Sequence, residues 1–270
     1  MTHVSKHTVH IAGIEVHVYG LDELRLDQAG CSVDIIFLLH GRKGNYEAME
    51  PTAHAILKET WQLKRNCSEG GLLIVSFDQR NHGHRVVSAH ANLSWLEGNQ
   101  KHAEDMFSIY YGTSQDVSLI ITLLFPCLFP QGQYGMGNVI CVGVSLGGHA
   151  TYLVLSEDDR VAAGVVIIGC PDFDILMESR AGKELLETRL PRAFRGAVAR
   201  LCPRLDRVSK KEILILRGDT DQLVPWSASE VFVSQLPQDK VEIISYSGVG
   251  HEYNEQMLQK TVSWLCNWRK

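Results

Sequence analysis

Residues Asn138–Ala150 read NVICVGVSLGGHA. An apolar, β-branched run ends in Gly143-Val144-Ser145-Leu146-Gly147, followed by Gly148 and a helix-like segment. A serine on so tight a strand-to-helix turn takes up a strained backbone conformation, so its neighbours must lack bulk. Gly143 and Gly147 meet that need, because neither carries a Cβ that would clash as the turn closes. The turn lifts the hydroxyl clear of the sheet at a helix N-terminus, where backbone N–H groups face a developing negative charge. G-x-S-x-G also arises by chance, so the strand before it and the helix after it carry the argument.

Working outward, the chain alternates strand and helix signals. Val9 to Tyr19 alternates apolar and polar residues around Gly13, which predicts an N-terminal β-hairpin. Asp34–Leu39 and Gly71–Phe77 are continuous apolar runs, the mark of strands buried on both faces of a parallel sheet. The first ends in His40-Gly41-Arg42, the second in Asp78-Gln79-Arg80-Asn81-His82-Gly83. Tyr46–Leu63 has helical spacing, and a further helix runs from Lys101 or Ser114 to about Phe125. After the strand Val139–Val144 and the helix Leu146–Leu155, Val161–Gly169 is another parallel-type strand. Pro171 to Lys211 reads as helices interrupted by Pro191 and Pro203. Ile213–Leu216 and Val241–Ser245 resume the sheet, with a helix over Ala228–Leu236 and a closing helix over Glu252–Trp268. The pattern predicts an α/β fold with a doubly wound, mostly parallel sheet and sites at the carboxyl ends of its strands. No repeat or linker divides the chain, so residues 1–270 read as one domain.

Composition narrows the function. A hydrophobic fraction of 45%, a charged fraction of 21% and a formal charge of -5 are ordinary for a globular protein and give no reason to expect a nucleic-acid partner. No apolar run approaches the ~20 residues needed to span a bilayer. The N-terminal MTHVSKHTVHIAG has no apolar core of the secretory kind. Seven cysteines, Cys31, Cys67, Cys127, Cys141, Cys170, Cys202 and Cys266, form no paired spacing, which favours reduced thiols and a cytoplasmic setting. No structural zinc spacing occurs, and no cofactor or metal is expected; His82 and His84 form an H-x-H pair, but a serine-centred site needs no ion.

A serine hydroxyl is a weak nucleophile until a base takes its proton, and that base needs a third group to hold its tautomer. Downstream, Asp221 sits in Gly218-Asp219-Thr220-Asp221-Gln222-Leu223-Val224-Pro225, and His251 in Gly248-Val249-Gly250-His251-Glu252. Ser, then Asp, then His is the order this elbow requires. Here the chain resembles the α/β-hydrolase fold superfamily, from about Val33 to the C-terminus. In that family the acid lies in a G-x-x-D-x-x-V-P-like segment, matched by Gly218, Asp221, Val224 and Pro225, which selects Asp221 over Asp219. Asp219 is then a loop residue that bonds the turn backbone. The resemblance implies an oxyanion hole from the backbone N–H groups of Leu146 and Arg42, the latter in the loop that begins His40-Gly41. Arg42 departs from the apolar residue or glycine common there; its side chain either reaches substrate or points into solvent. Asp78–Gly83 resembles the family's D-x-R-G-H-G turn with Asn81 in place of the first glycine, and reads as a brace for the His40 loop.

Residues 172–211 fall where the family inserts a lid, here a short helical one rich in arginine: Arg180, Arg189, Arg192, Arg195, Arg200, Arg204 and Arg207. The run either attracts an anionic substrate group or is a solvated face offset by Glu178, Glu184, Glu187 and Asp206. Phe173, Leu176, Met177, Leu186 and Phe194 form either an acyl pocket or core packing, and Trp95, Asn99, His102 and Asp105 either line the pocket entrance or pack against and cap the next helix, packing being the favoured reading. The resemblance implies a serine hydrolase of the esterase or thioesterase kind, acting on a small-molecule ester or thioester. Acyl transfer, peptidase or amidase action and lyase chemistry on a specialised metabolite use the same triad; a non-catalytic binding protein is the reading from another class. Oligomeric state and substrate identity are not encoded in these motifs.

Overall fold

The computed structural model describes residues 4–24, 32–63, 71–182, 187 and 189–268. Cys31, Cys67, Glu184 and Leu186 lie outside them. Eight strands form one sheet: β1 (Lys6–Ile11), β2 (Ile14–Tyr19), β3 (Ser32–Leu39), β4 (Gly71–Phe77), β5 (Gly135–Val144), β6 (Val161–Ile167), β7 (Glu212–Gly218) and β8 (Val241–Tyr246). Their order across the sheet is β1-β2-β4-β3-β5-β6-β7-β8. The β1–β2 hairpin joins β4 antiparallel, and every pairing from β4 to β8 is parallel. The α-helices are α1 (Glu50–Leu63), α2 (His102–Leu128), α3 (Leu146–Glu157), α4 (Phe173–Ala181), α5 (Arg192–Leu201), α6 (Leu205–Val208), α7 (Ser227–Val233) and α8 (Glu255–Trp268), with 3₁₀ turns at Tyr46–Met49, Gly83–Arg85 and Ala89–Asn92.

Continuous apolar strands follow from burial on both faces. Along β3, Ile35, Phe37 and Leu39 enter the larger core, whereas Ile36 and Leu38 enter the smaller one. Leu73, Val75 and Phe77 of β4 divide from Leu72 and Ile74 in the same way. The smaller core is closed by α1 and α8 through Ile56, Leu57, Met257 and Leu265. The larger is closed by α2 and α3 through Val117, Ile121, Leu153 and Val154, and by Val198 of α5. Helices therefore cover both faces, as period-2 alternation of wholly apolar strands requires.

Helix α2 and strand β5 both run beyond the sequence reading. Helix α2 begins at His102 and continues through Pro126 to Leu128. The proline removes one backbone donor near the helix end, where the loss is smallest. Strand β5 starts at Gly135, where exposed residues pair with Ser32 and Val33 and the Asn138 N–H donates to Asp34 Oδ1 (2.8 Å). Solvent exposure gave those four residues no apolar signature.

Chain connectivity leaves β3 in one direction toward β4 and resumes on its other side at β5. The crevice at such a reversal, beyond the carboxyl ends of the strands, is where open α/β sheets hold ligands. The loops after β4 are anchored there by charge. Asp116 of α2 is buried and takes Arg80 in a two-pronged pair (2.8 and 3.1 Å) and Arg85 Nη1 at 2.9 Å. The same Arg85 nitrogen donates to the carbonyl of Asp78 (2.9 Å). Removing the carboxylate strands two cations against α2, so Asp116→Ala is expected to cost about 3 kcal/mol. The check is urea unfolding, read as a lower midpoint at unchanged slope.

Candidate active site

Ser145 occupies the turn between β5 and α3 with φ 53° and ψ −110°. A non-glycine residue in that region carries strain of roughly 1–3 kcal/mol and persists only where its surroundings fix it. Here they do. The Ser145 N–H donates to Ile167 O (2.8 Å), the His149 N–H to Ser145 O (3.0 Å), and the Gly147 N–H to His40 O (3.2 Å). A Cβ on Gly143 would collide with the Gly147 carbonyl, and one on Gly147 with the carbonyl of Leu39. Both glycines are thus required by close backbone approach rather than by a left-handed φ.

The three far-apart side chains meet. Ser145 Oγ lies 2.8 Å from His251 Nε2, and His251 Nδ1 lies 2.7 Å from Asp221 Oδ2. An acceptor-only carboxylate at Nδ1 holds the proton there and leaves Nε2 free to accept from the serine hydroxyl. Asp221 is buried, and its second oxygen accepts the N–H groups of Leu223 and Val224 (both 2.9 Å). The carboxylate is therefore fixed by its own turn. Asp219 does something else: its Oδ1 accepts from Gly248 N (2.7 Å), and the neighbouring Thr220 N–H donates to Val249 O (3.1 Å). This pins the loop that presents His251. Each group follows a strand end: Ser145 after β5, Asp221 after β7, His251 after β8.

Leu146 directly follows the serine, and Arg42 follows Gly41 in the β3 loop. Leu146 opens α3, so its N–H has no acceptor within the helix. Gly41 lies against the elbow, where an added Cβ would stand 3.7 Å from Ser145 Cβ. The β3 loop is held in place by His40, whose ring is fully buried. Its Nδ1–H donates to Gly41 O (2.8 Å) and its Nε2 accepts the Gln79 N–H (3.0 Å). The Gln79 amide closes the loop by donating back to the carbonyl of His40. Asp78 accepts from Tyr46 N (2.9 Å) and His84 N (2.7 Å). The Asp78–Gly83 turn thus touches and orders the His40 loop. Of the H-x-H pair, His82 is buried and bonds the Arg80 carbonyl (2.9 Å), whereas His84 is exposed beside Glu15.

The arginine-rich stretch divides. Arg204 pairs with Asp206 (2.9 Å) and Arg207 with Asp159 (2.7 Å), while Arg192 and Arg200 are exposed. Arg180 instead turns inward, with Nη1 3.1 Å from His102 Nε2. Phe173, Leu176 and Met177 are buried in the larger core, and Phe107 meets both Phe173 (5.1 Å) and Phe194 (5.9 Å) edge-on. Trp95 stands edge-on to His102 at 5.1 Å, and Asn99 ties the Leu93 carbonyl to Asp105. Sequence reasoning missed the His102–Arg180 contact and the burial of His149, because neither falls in a motif.

Comparisons with known proteins bear on the fold. No protein-family model matches the sequence, and no curated protein matches it significantly. Among solved structures, TT1662 from Thermus thermophilus superposes over 99% of this chain and 98% of its own, at TM-score 0.71 and 18% identity. Acetyl xylan esterase 1 from Thermoanaerobacterium sp. JW/SL YS485 matches over 100% and 85% of the two chains (TM-score 0.67, 13% identity). Est1E from Butyrivibrio proteoclasticus, solved with ferulic acid bound, matches over 97% of both (TM-score 0.60, 17% identity). The fold is the α/β-hydrolase fold. Among the described residues no helix is long and apolar enough to cross a membrane.

Burial around the site keeps several imidazoles neutral. Desolvation lowers His40 and His102 from 6.5 to about 4 and His149 to about 3; in His102 the charges of Arg180 and Arg42 add to it. These groups bind protons in the unfolded chain near 6.5 but not in the folded one until far lower pH. The unfolded state therefore gains stability as pH falls. Resistance to urea is expected to fall steadily from about pH 6.5 to about pH 4. A midpoint constant across that window would refute it.

Proposed function

We propose that the protein is a serine hydrolase that cleaves a carboxylic ester or thioester through an acyl-enzyme on Ser145. The observation that carries this reading is the unbroken relay from Ser145 Oγ through His251 to Asp221, at 2.8 and 2.7 Å. Ser145 attacks the carbonyl carbon while His251 Nε2 takes the hydroxyl proton. Asp221 orients the ring and stabilises the imidazolium. The N–H groups of Arg42 and Leu146 hold the oxyanion of the tetrahedral intermediate. Collapse expels the alcohol or thiol, which takes the proton from His251. Water then attacks the acyl-enzyme with His251 again as base, releasing the acid and restoring the serine.

In this reading residues 172–211 form a short lid within one catalytic domain, built from α4, α5 and α6 over the crevice. The esterase neighbours support hydrolysis of small-molecule esters, and the buried thiols of Cys141 and Cys170 support a cytoplasmic site of action. No cofactor enters the scheme.

Treatment with a fluorophosphonate probe is expected to label wild-type protein at Ser145 and to leave Ser145→Ala unlabelled. Equal labelling of the two would remove the assignment. Asp221→Asn is expected to keep the fold yet lower kcat on 4-nitrophenyl acetate by about 10⁴, because the amide presents the wrong partner to Nδ1. Turnover within ten-fold of wild type would leave Asp221 without its role.

A further inference from the structure

Two guanidinium groups converge on His102 from different elements, and among the described residues neither is hydrogen-bonded to a carboxylate. Arg42 comes from the β3 loop, directly after the Gly41 that lies against the elbow. Arg180 comes from α4 and sends Nε and Nη2 to the carbonyl of Leu223 (3.3 and 3.1 Å), two residues past Asp221. His102, the first residue of α2, stands between them. Its Nδ1–H donates to Leu93 O (3.0 Å), which makes Nε2 the acceptor that takes Arg180 Nη1 at 3.1 Å. Because Nδ1 carries the proton, Arg42 Nη1 at 3.4 Å from it makes no hydrogen bond there. What Arg42 retains is the Asn92 carbonyl at 3.5 Å, the outer limit of such a bond.

The surrounding charges are already engaged. Asp221 spends its oxygens on His251, Leu223 N and Val224 N. Glu97 holds Lys43 Nζ (2.5 Å) and both donors of Ser94. Cys170 and Tyr110, also near Arg180, are kept neutral by burial. Among the described residues, then, Arg42 and Arg180 meet only carbonyls, a thioether and a neutral imidazole. Desolvation lowers both, and in Arg180 the charge of Arg42 adds to it, to about 10. Two partly desolvated like charges held together are costly unless an anion joins them.

We propose that Arg42 and Arg180 bind an oxyanion carried by the substrate itself, a carboxylate or phosphate group remote from the carbonyl that Ser145 attacks. Guanidinium forks match both groups in pairs of parallel hydrogen bonds. His102 holds the Arg180 fork in place and, being uncharged, adds no third repulsive charge. The site selects anionic esters over neutral ones of the same shape, and it rests on the hydrolase reading above.

The test compares acid-bearing esters with their methylated counterparts: mono-(4-nitrophenyl) adipate with its methyl ester, and 4-acetoxybenzoate with methyl 4-acetoxybenzoate. These place the acid on the acyl and the alcohol side respectively. Wild-type kcat/KM is expected to favour at least one acid over its methyl ester by about ten-fold or more, as one charge-assisted pair provides. Arg180→Gln and Arg42→Gln are each expected to abolish that ratio, and Arg180→Lys to restore part of it. No preference on either side, or one that survives both glutamine variants, would overturn the proposal. Calorimetry with adipate and with inorganic phosphate separates the two oxyanions, and heat lost in Arg180→Gln upholds the site with either. If no ester is cleaved and Ser145 takes no probe, the hydrolase reading fails by itself. Calorimetric binding that Arg180→Gln removes would still uphold the oxyanion site, and absence of binding to wild type would end it.

Discussion

The contact on which the site depends is a backbone one: the Gly147 N–H at the start of α3 donating to the carbonyl of His40 at the end of β3. It brings the elbow and the neighbouring loop to van der Waals distance, which is possible only because residue 147 has no Cβ. Everything that must surround a reacting carbonyl follows from that approach. The N–H opening α3 and the loop carrying Arg42 are thereby brought together, with Gly41 against Ser145. The His40 ring, buried and neutral, then welds the β4 turn to the same point through Gln79. The strain at Ser145 is thus held by three elements at once, as strained functional residues require.

The acid and base are placed by a different means. Neither β7 nor β8 touches β5; β6 lies between β5 and β7. What spans the gap is loop length, and loops can be held accurately only if their own backbones are satisfied. Asp221 and Asp219 divide that labour two residues apart. Asp221 caps its own turn and points its other oxygen at His251, while Asp219 reaches into the 248–250 loop and sets where His251 begins. A base presented this way sits on a supported loop rather than a free one, and near-attack geometry depends on such support.

Much of this was legible in the sequence, for identifiable reasons. Parallel strands buried on both faces leave continuous apolar runs, so β3, β4 and β6 were read nearly to the residue. The elbow was legible because close backbone approach admits only glycine at 143 and 147. The choice of Asp221 over Asp219 rested on resemblance to a spacing, and the geometry gives its physical basis: only residue 221 is placed to accept from both Leu223 and Val224. What was illegible depended on tertiary contact. The exposed start of β5 has no pattern because its partner, not its burial, makes it a strand. Seven arginines in one stretch looked alike, yet Arg180 alone of them turns toward His102; nothing local to position 180 distinguishes it. His149 and His102 carry no motif, and their neutrality is a property of the burial that folding imposes.

That burial also sets the electrostatic character of the crevice. Imidazoles at 40, 102 and 149 are held uncharged, so they contribute dipoles and acceptors but no positive charge. Fixed charge and dipole around the site then come, among the described residues, from the Asp221 carboxylate bonded to His251, the peptide N–H at the head of α3, and the two guanidinium groups at 42 and 180 that meet at His102. In the proposed reaction Asp221 would stabilise the imidazolium formed as Ser145 attacks, and the helix N-terminus would stabilise the oxyanion formed with it. Those two charges appear together and largely cancel. The guanidinium pair has no such counterpart created by the reaction, since its charge is present before, during and after each chemical step. A fixed, uncompensated positive charge therefore serves binding rather than turnover, and its natural complement is a fixed negative charge on the molecule that enters.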